Sequence, residues 1–250
     1  MNEAVIVSSC RTPIGSFLGS LSSFTAPQLG ALAIEEAIRR AGIKKTDVQE
    51  VIMGNVLTAG VGQAPARQAA LFAGLPESVE CMTINKVCGS GLKATMLAAQ
   101  AIRLGDAEIV VAGGMESMSN TPYLLEKARS GYKMGNAQIV DSMIKDGLWD
   151  VYNNFHMGSA AEICAKECAV PREAQDEFSV MSYKRAQEAT GQGWFREEIV
   201  SVSIQGKGGS TTVDQDEEPF KTNFEKIPTL KPIFQKDGSV TAANASKIND

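Results

Sequence analysis

The sequence predicts an α/β fold, in which a parallel sheet carries helices on both faces and an α+β loop domain is inserted. Two observations predict it. Short apolar runs alternate with amphipathic helical runs over residues 1–119, which is typical of a parallel sheet covered on both faces. Residues 120–240 lose this alternation and contain scattered Gly, Asn, Tyr and Met. We therefore expect a sheet domain at 1–119, to which 241–250 return, and a loop domain at 120–240.

Four strands and three helices are expected in the sheet domain. The strands are short apolar runs with turn residues at their ends, and they span 4–8, 51–56, 81–84 and 108–112. The helices are rich in helix-forming residues and stop at or near a glycine, and they span 28–41, 65–72 and 92–104. Pro27 suits the first turn of the first helix, where a backbone N–H has no partner to lose.

The loop domain is expected to contain three helices and a pair of strands. A modest helix is predicted at 138–146, and clearer ones at 159–168 and 171–189. Strands at 199–204 and 211–213 flank a Gly-rich turn, which predicts that the second strand returns along the first.

Composition excludes several classes of protein. The chain has 250 residues, 44% apolar and 21% charged, which is ordinary for a globular protein. A net charge of −5 without a basic block predicts no nucleic-acid partner, and no apolar run approaches the ~20 residues that cross a membrane. An acidic N-terminus and five irregularly spaced cysteines favour a cytoplasmic protein over a secreted one.

Cys88 is the candidate nucleophile. It lies in the sequence NKVCGSG at 85–91, between a predicted strand and a predicted helix. The beginning of a helix exposes free N–H groups and favours negative charge, so this position favours a thiolate. Gly89 and Gly91 allow a ligand to approach the backbone. A buried, inert cysteine is the alternative, and the local pattern alone does not decide between the two.

The segment NKVCGSGLKA resembles the nucleophile segment of the thiolase family, and Cys88 falls on the acyl-carrying cysteine of that family. Further segments resemble the family in the same order: RTPIG at 11–15, GNVLTAG at 54–60, QAPARQAA at 63–70, GGMESMS at 113–119, HMG at 156–158 and DGSVTAANAS at 237–246. The resemblance runs from the first residues to the last, and it is greatest to the short-chain, acetoacetyl-CoA type within the family.

The resemblance implies an acyltransferase. Such an enzyme reversibly condenses two acetyl-CoA to acetoacetyl-CoA and coenzyme A through an acetyl-Cys88 thioester. It takes coenzyme A thioesters as substrates, needs no prosthetic group or metal, and forms a homodimer or homotetramer. A longer-chain 3-ketoacyl-CoA thiolase is an alternative, because these enzymes differ mostly in the shape of the acyl pocket.

The resemblance also implies four binding residues. His156 and Met157 match a His-Met pair that lines the acyl and pantetheine pocket. Ser246 matches a serine near the pantetheine arm of coenzyme A, and Leu148 matches a position in the pocket wall. Because His156 is the only histidine, it is also the only imidazole in the chain for general base work. We favour the pocket wall over that alternative.

The chain departs from the family pattern at two places. Phe220 stands where many relatives have an arginine that contacts the adenine end of coenzyme A. Stacking of Phe220 on adenine and a phosphate contact of Lys221 are both open. Lys247 stands where relatives usually have glycine beside the serine.

The resemblance covers only the N-terminal portion of a thiolase. In relatives, a C-terminal half carries a Gly-His-Pro histidine, which activates the nucleophile, and a Cys-Gly-Gly-Gly cysteine, which acts as acid and base. With that C-terminal domain absent, we expect the 250 residues alone to be inactive in condensation and to need the other half as a partner. The rival interpretation is a catalytically incomplete fragment that binds acyl-CoA or serves as a partner-dependent subunit.

The remaining cysteines are predicted to be structural. Cys164 and Cys168 are four residues apart, a spacing that places two ligands on one helix face, but a zinc site needs more ligands than these two. We therefore predict core positions for both. Cys10 and Cys81 lie in or beside predicted strands, and we expect them to be packing residues.

Overall fold

A three-stranded parallel sheet forms the centre of the computed structural model, which describes residues 2–206 and 208–250. Its strands are β1 (Glu50–Gly54), β2 (Glu80–Ile84) and β3 (Val110–Gly114), in the order β2-β1-β3. Val51 pairs with Cys81 on one side and with Val111 on the other. Because all three strands run in the same direction, their carboxyl ends meet at one edge of the sheet.

Helices cover both faces of this sheet. They are α1 (Ala26–Ala41), α2 (Pro65–Phe72) and α3 (Ser90–Leu104). Val51 and Met53 of β1 pack in a core with residues of α1 and α2, whereas Ile52 packs with Ala94 and Ala98 of α3. Successive side chains of a strand point to opposite faces, so β1 contributes to both cores. The predicted α/β class is confirmed, as are all three predicted helices of this part.

The rest of the chain contains two helices and several short antiparallel ladders. The helices are α4 (Met157–Glu167) and α5 (Arg172–Gly191). The ladders are β4 (Tyr123–Leu124) with β5 (Val140–Asp141), β6 (Trp149–Asp150) with β7 (Phe155–His156), and β8 (Val202–Gly206) with β9 (Gly209–Val213). The predicted later helices and returning strand are confirmed. No helix in the described part of the chain combines the length and apolar character that crossing a membrane requires.

The helix predicted at 138–146 is only partly present. The backbone of Val140–Asp141 pairs with β4, and a turn of π-helix at Met143–Leu148 follows. The hydroxyl and N–H of Ser142 both donate to the carbonyl of Pro122. This pairing with a distant segment replaces the first helical turns that local composition favours.

The prediction of a strand at 4–8 is wrong. Within residues 2–206 and 208–250 no strand pairs with it, and the side chains of Val5, Ile6 and Val7 are 64%, 80% and 71% exposed. The chain instead lies along α1, where Ser8 Oγ donates to the carbonyl of Ala37 at 2.7 Å. An apolar run describes what a segment buries in a sheet, but a strand also requires a neighbouring edge with which to pair.

Arg11 connects the beginning of the chain to residues 198–217. Its guanidinium donates to Glu198 at 2.7 Å and to both carboxylate oxygens of Asp216, at 2.7 and 3.0 Å. The N–H of Ile14 donates to the same Asp216, and the N–H of Ser16 to Glu217. These bonds hold the segment after β9 against the loop that precedes α1.

Glycines allow the first turn of α3 to rest directly on the sheet. A Cβ added at Gly54 would lie 2.6 Å from Cβ of Ser90 and 2.9 Å from the backbone N of Gly91. A Cβ added at Gly91 would lie 3.6 Å from the backbone N of Gly114. The carboxyl ends of β1 and β3 therefore contact α3 backbone to backbone.

We expect Gly54→Ala to lower the free energy of unfolding by about 1–3 kcal/mol, because the added methyl group overpacks this contact. Urea denaturation measures the change. Gly191→Ala is the control, because a Cβ at Gly191 meets nothing within 4 Å and a surface substitution of this kind stays within about 0.5 kcal/mol. Equal effects of the two substitutions would contradict the contact.

Candidate active site

Cys88 lies in a tight turn between the end of β2 and the beginning of α3. Val87, the residue before it, has φ 47°, a conformation that strains a β-branched residue. Ser90 holds the turn, since its Oγ accepts from the N–H of Lys86 at 2.8 Å and donates to the carbonyl of Val87 at 2.6 Å. Asn85 Oδ1 accepts from the N–H of Val87 at 2.9 Å. The result is an exposed thiol at Cys88, beside the N-terminal end of a helix.

A half-buried carboxylate organises the carboxyl edge of the sheet next to this turn. Glu116 accepts from the N–H groups of Val56 and Leu57 at 2.9 and 3.0 Å, and from Asn55 Nδ2 at 2.6 Å. Burial raises the pKa of Glu116, although these three donors act in the opposite direction. Asn55 is itself buried, and Asn85 Nδ2 donates to the carbonyl of Val56 at 3.5 Å. The loop after β1 and the turn that carries Cys88 are thereby joined.

His156 begins α4 and has a defined hydrogen-bonding state. Its Nδ1 accepts from the N–H of Gly158 at 2.9 Å and caps the helix. The neutral ring consequently carries its proton on Nε2 and presents a donor there. The ring stacks on Phe234, with centroids 5.0 Å apart and planes inclined by 21°. Met157, the next residue, is 41% exposed.

Leu148 lies next to His156 because of the β6–β7 ladder. Leu148 ends the turn of π-helix, and the residue after it, Trp149, pairs with His156. A Cβ added at Gly147 would lie 3.1 Å from the side chain of Leu57. This segment therefore packs against the loop that follows β1.

The buried carboxylate of Glu162 joins α4 to the segment that leads to Ser246. It accepts from the N–H of Ser239 at 2.8 Å, from the N–H of Val240 at 2.8 Å and from the hydroxyl of Ser239 at 3.0 Å. Burial acts to raise the pKa of Glu162, but these donors and the nearby charge of Arg172 outweigh burial and lower it. It is therefore the ionised carboxylate of Glu162 that binds the loop of Ser239 and Val240.

Asn244 fixes the turn that follows. Its Nδ2 donates to Asp176 of α5 at 2.9 Å and to the carbonyl of Ser239 at 3.1 Å. Its Oδ1 accepts from the N–H of Thr241 at 2.7 Å. Ser246 is exposed two residues later.

We divide the predicted site residues into two groups, although Ser246 is linked to the other binding residues only through Glu162, which binds Ser239 and Val240 upstream of it. The pocket group consists of Leu148, His156, Met157 and Ser246, which the β6–β7 ladder and Glu162 connect. Cys88 belongs to the edge of the sheet. Among the described residues no hydrogen bond joins Cys88 to a member of the pocket group. The packing of Gly147 against Leu57, whose N–H donates to Glu116, is the link between the groups.

The two departures from the family pattern have different environments. Phe220 is 52% exposed, so stacking on a ligand stays a prediction. Lys221 Nζ donates to Ser16 Oγ at 2.6 Å and lies 3.3 Å from Glu217. These contacts use the ammonium group within the protein and weigh against a phosphate contact of Lys221.

The predicted core positions of Cys164 and Cys168 are wrong, because both residues are exposed on α4. The face of α4 that turns inward is instead the one that carries buried Glu162. Cys10 and Cys81 are half-buried, as predicted, and burial raises the pKa of both thiols. The pKa of Cys168 is raised as well, chiefly by its hydrogen bond with the thiol of Cys164.

Sequence reasoning missed Asn55, Glu116, Glu162 and Asn244. The first two had a signal, since a polar residue directly after a buried parallel strand lies at the edge where ligands bind. Glu162 had none, because a carboxylate outside a motif does not show which distant N–H groups it will meet. Asn244 lies within the segment 237–246 that resembles the family, and that resemblance was its signal.

Comparisons with known proteins agree with this geometry. The family model described as the N-terminal domain of thiolase matches residues 4–250. An acetyl-CoA acetyltransferase of Cupriavidus necator is 56% identical over 100% of this chain and 64% of its own length. One of Schizosaccharomyces pombe is 53% identical over 99% of this chain and 63% of its own. The chain thus spans less than two thirds of these curated relatives.

A solved structure is also similar. The crystal structure of Acat5 thiolase from Ascaris suum, in complex with coenzyme A, superimposes with a TM-score of 0.94 at 42% identity. The match covers 100% of this chain and 64% of that one. The architecture described above is therefore that of the corresponding part of a thiolase.

Cys88 should be alkylated about tenfold faster than Cys164, because both thiols are exposed but only Cys88 adjoins the beginning of a helix. Cys10 and Cys81 should react slowest, since burial raises their pKa. Treatment with iodoacetamide near neutral pH, followed by peptide mapping, measures the order. Preferential labelling of Cys164 or Cys10 would show that the turn does not activate Cys88.

Glu162→Gln should lower the free energy of unfolding by about 1–3 kcal/mol at pH 7, because one oxygen that accepts buried N–H donors is lost. The folded pKa of Glu162 is lowered, so the carboxylate stabilises the fold above its unfolded pKa of roughly 4.3. That stabilisation is lost as the pH falls through the folded pKa. Urea titrations at several pH values should therefore show the difference from wild type shrinking below about pH 4.

Glu167→Gln is the control for this titration, because Glu167 is exposed on the same helix. Its small effect should not depend on pH in the same way. A Glu162→Gln difference that stays constant down to low pH would refute the role of the ionised carboxylate.

Proposed function

The chain belongs to the thiolase family, whose N-terminal domain it matches over residues 4–250, and we propose that the protein containing it is an acetyl-CoA C-acetyltransferase. The reaction is the reversible condensation of two acetyl-CoA to acetoacetyl-CoA and coenzyme A. Relatives that are 53–56% identical carry the name acetyl-CoA acetyltransferase. Because the chain spans about 64% of such a relative, the activity is proposed for the whole protein.

The exposed thiol of Cys88 is the observation that carries this proposal. It stands beside the electropositive end of α3, in a strained turn that Ser90 and Asn85 hold rigid. A thiolate in such a place suits nucleophilic attack on a thioester. The half-buried Cys10 and Cys81 lack this combination of exposure and electropositive surroundings.

Two steps at Cys88 account for the reaction. In the first, the thiolate attacks the carbonyl carbon of acetyl-CoA, an S–C bond to Cys88 forms, the S–C bond to coenzyme A breaks, and the coenzyme A thiolate takes up a proton. In the second, the methyl group of another acetyl-CoA loses a proton, and its carbon attacks acetyl-Cys88. Acetoacetyl-CoA forms and the Cys88 thiolate is released. Both steps require proton transfer by positioned groups.

The geometry of His156 supports a binding role instead of a base role. Its Nδ1 is occupied by the N–H of Gly158, so the ring offers a donor at Nε2 and no free acceptor. A donor suits a carbonyl oxygen of a substrate. The stack on Phe234 keeps the ring in one orientation.

The pocket group supports coenzyme A thioesters as the substrates. Leu148 and Met157 supply apolar surface, and exposed Ser246 supplies a hydroxyl for an amide of the pantetheine arm. The similar Ascaris suum thiolase was crystallised with coenzyme A. No prosthetic group is part of the proposal.

Domain organisation and assembly form part of the same proposal. We propose that residues 120–240 form the loop domain that carries the coenzyme A arm, and that the protein is a cytoplasmic homodimer or homotetramer. Free thiols at all five cysteines support a reducing compartment. Strand β2 lies at an edge of the sheet, and its Met82 is 41% exposed, which supports pairing of two copies.

Thiolysis of acetoacetyl-CoA by coenzyme A tests the proposed function, with consumption of substrate followed in the full-length protein. We expect Cys88→Ala to lower kcat by at least about 10³-fold, because the covalent intermediate is lost. We also expect kcat/KM for acetoacetyl-CoA to exceed that for 3-ketohexanoyl-CoA by about 10-fold, the order that one or two methylenes contribute in an apolar pocket.

Cys168→Ala is the matched control, because Cys168 is an exposed thiol on α4 and should leave turnover unchanged. Turnover that survives Cys88→Ala would refute the proposed nucleophile. A kcat/KM that rises with acyl chain length would instead make the protein a 3-ketoacyl-CoA thiolase of the degradative type.

A further inference from the structure

Lys247 directly follows Ser246, and its ammonium group contacts three separate segments. Nζ donates to the carbonyl of Ala242 at 2.9 Å, which closes the turn that leads to Ser246. It lies 3.7 Å from Oε2 of Glu218 in the short helix Glu218–Phe220. It also lies over the ring of Tyr183 of α5, 5.9 Å from the ring centroid. The side chain is only 32% exposed.

The partners of Lys247 are themselves held in place. Tyr183 of α5 donates from its hydroxyl to the carbonyl of Ala243 at 3.4 Å. Helix α5 therefore contacts the turn through this hydrogen bond and through the ring beneath the Lys247 ammonium group. Glu218 also accepts from the hydroxyl of Ser16 through its other oxygen. The ammonium group of Lys247 therefore connects the turn, α5 and Glu218. Glu218 in turn is bonded to Ser16 in the loop before α1.

Ser246 lies between anchored parts of the chain, and Lys247 is the residue next to it that contacts other elements. Upstream, Asn244 and the bond from the N–H of Ala245 to the carbonyl of Thr241 fix the backbone. Downstream, Asn249 Nδ2 donates to the carbonyl of Gly15. Ser246 lies between these anchors, and the contacts of Lys247 attach this part of the chain to α5 and Glu218.

The same turn borders a cavity of about 360 Å³, lined by α5, by Glu218 and Pro219, and by residues 243–247. Lys247 lies at this border. Its ammonium group contacts protein groups there, because it donates to the carbonyl of Ala242 and lies near Glu218. Ser246 lines this cavity as well, so the contacts of Lys247 with Tyr183 and Glu218 hold the turn of Ser246 at the cavity wall.

We propose that Lys247 is a positioning residue that holds Ser246 in place for the pantetheine arm of coenzyme A, an inference that rests on the function proposed above. The ammonium group itself does not touch the reacting atoms. Its loss therefore weakens the binding of coenzyme A thioesters and leaves the chemical step intact. Lys247 stands where the family pattern usually has glycine, and glycine could not make these contacts.

The test compares Lys247→Met with wild type in the thiolysis assay, using the full-length protein. Lys247→Met keeps the aliphatic stem but removes the charge and the donor. We expect KM for coenzyme A thioesters to rise about tenfold, the loss expected for a hydrogen bond to a charged group, while kcat changes by less than about twofold. Lys247→Arg should restore KM to within about threefold of wild type, because it retains charge and donor.

A truncated substrate separates positioning from a general structural effect. S-ethyl acetothioacetate keeps the reacting thioester but lacks both amides of the pantetheine arm, so its KM should change by less than about twofold in Lys247→Met. Lys166→Met is the control, because Lys166 is an exposed lysine on α4 and should alter neither constant. Thermal unfolding verifies that the variants are folded. If Lys247→Met does not fold, Lys247→Gln, which keeps a donor but no charge, gives the same comparison of KM with kcat.

Three results overturn the inference: an unchanged KM in folded Lys247→Met, a fall in kcat at constant KM, or an equal loss for the truncated thioester. Failure of the proposed function is distinguishable from these, because it shows in the wild-type protein as an absence of thiolysis. In that case the role of Lys247 for coenzyme A is refuted together with the function on which it rests.

Discussion

The contact between the first turn of α3 and the carboxyl ends of β1 and β3 is the constraint on which the position of Cys88 depends. Gly54 leaves no room for a side chain, since a Cβ there would lie 2.6 Å from Ser90, and Gly91 packs against Gly114 beside it. The helix must therefore begin at the sheet, and the chain has only the turn 85–89 in which to change direction. Val87 takes the strained conformation that this reversal requires. The exposed thiol next to the helix end follows from close packing beneath it.

The half-buried carboxylate of Glu116 and the buried carboxylate of Glu162 both bind loop N–H groups, but their pKa values shift in opposite directions. Glu116 and Glu162 each accept several N–H donors from a loop that has no regular secondary structure. Burial dominates at Glu116 and raises its pKa, whereas the donors together with Arg172 dominate at Glu162 and lower it. In both places a carboxylate accepts hydrogen bonds from loop N–H groups, which have no partner strand to bind them. The geometry of the two site groups therefore rests on polar bonds inside the protein as much as on apolar packing.

Several different kinds of contact hold the residues of the pocket group in place. A two-residue ladder brings Leu148 beside His156, a helix cap sets the imidazole, and Glu162 carries the connection to the turn of Ser246. Lys247 completes these contacts from the opposite side through α5 and Glu218. Each connection is individually modest, so precise placement of a flexible thioester arm depends on their sum.

The sequence by itself predicted the fold class, most of the helices and strands, and a candidate nucleophile. Periodicity and terminal glycines predicted α1, α2 and α3, because helix formation depends on contacts three and four residues apart. The motif around Cys88 predicted a cysteine between a strand and a helix, because a few adjacent residues build that turn, whereas its exposure came from the structure. Only the tertiary structure decided that 4–8 lies along α1, that Cys164 and Cys168 face outward, and that Glu162 and Lys247 hold the turn of Ser246. These outcomes depend on partners some 5 to 80 residues away, and local sequence carries no record of which distant group a side chain will meet.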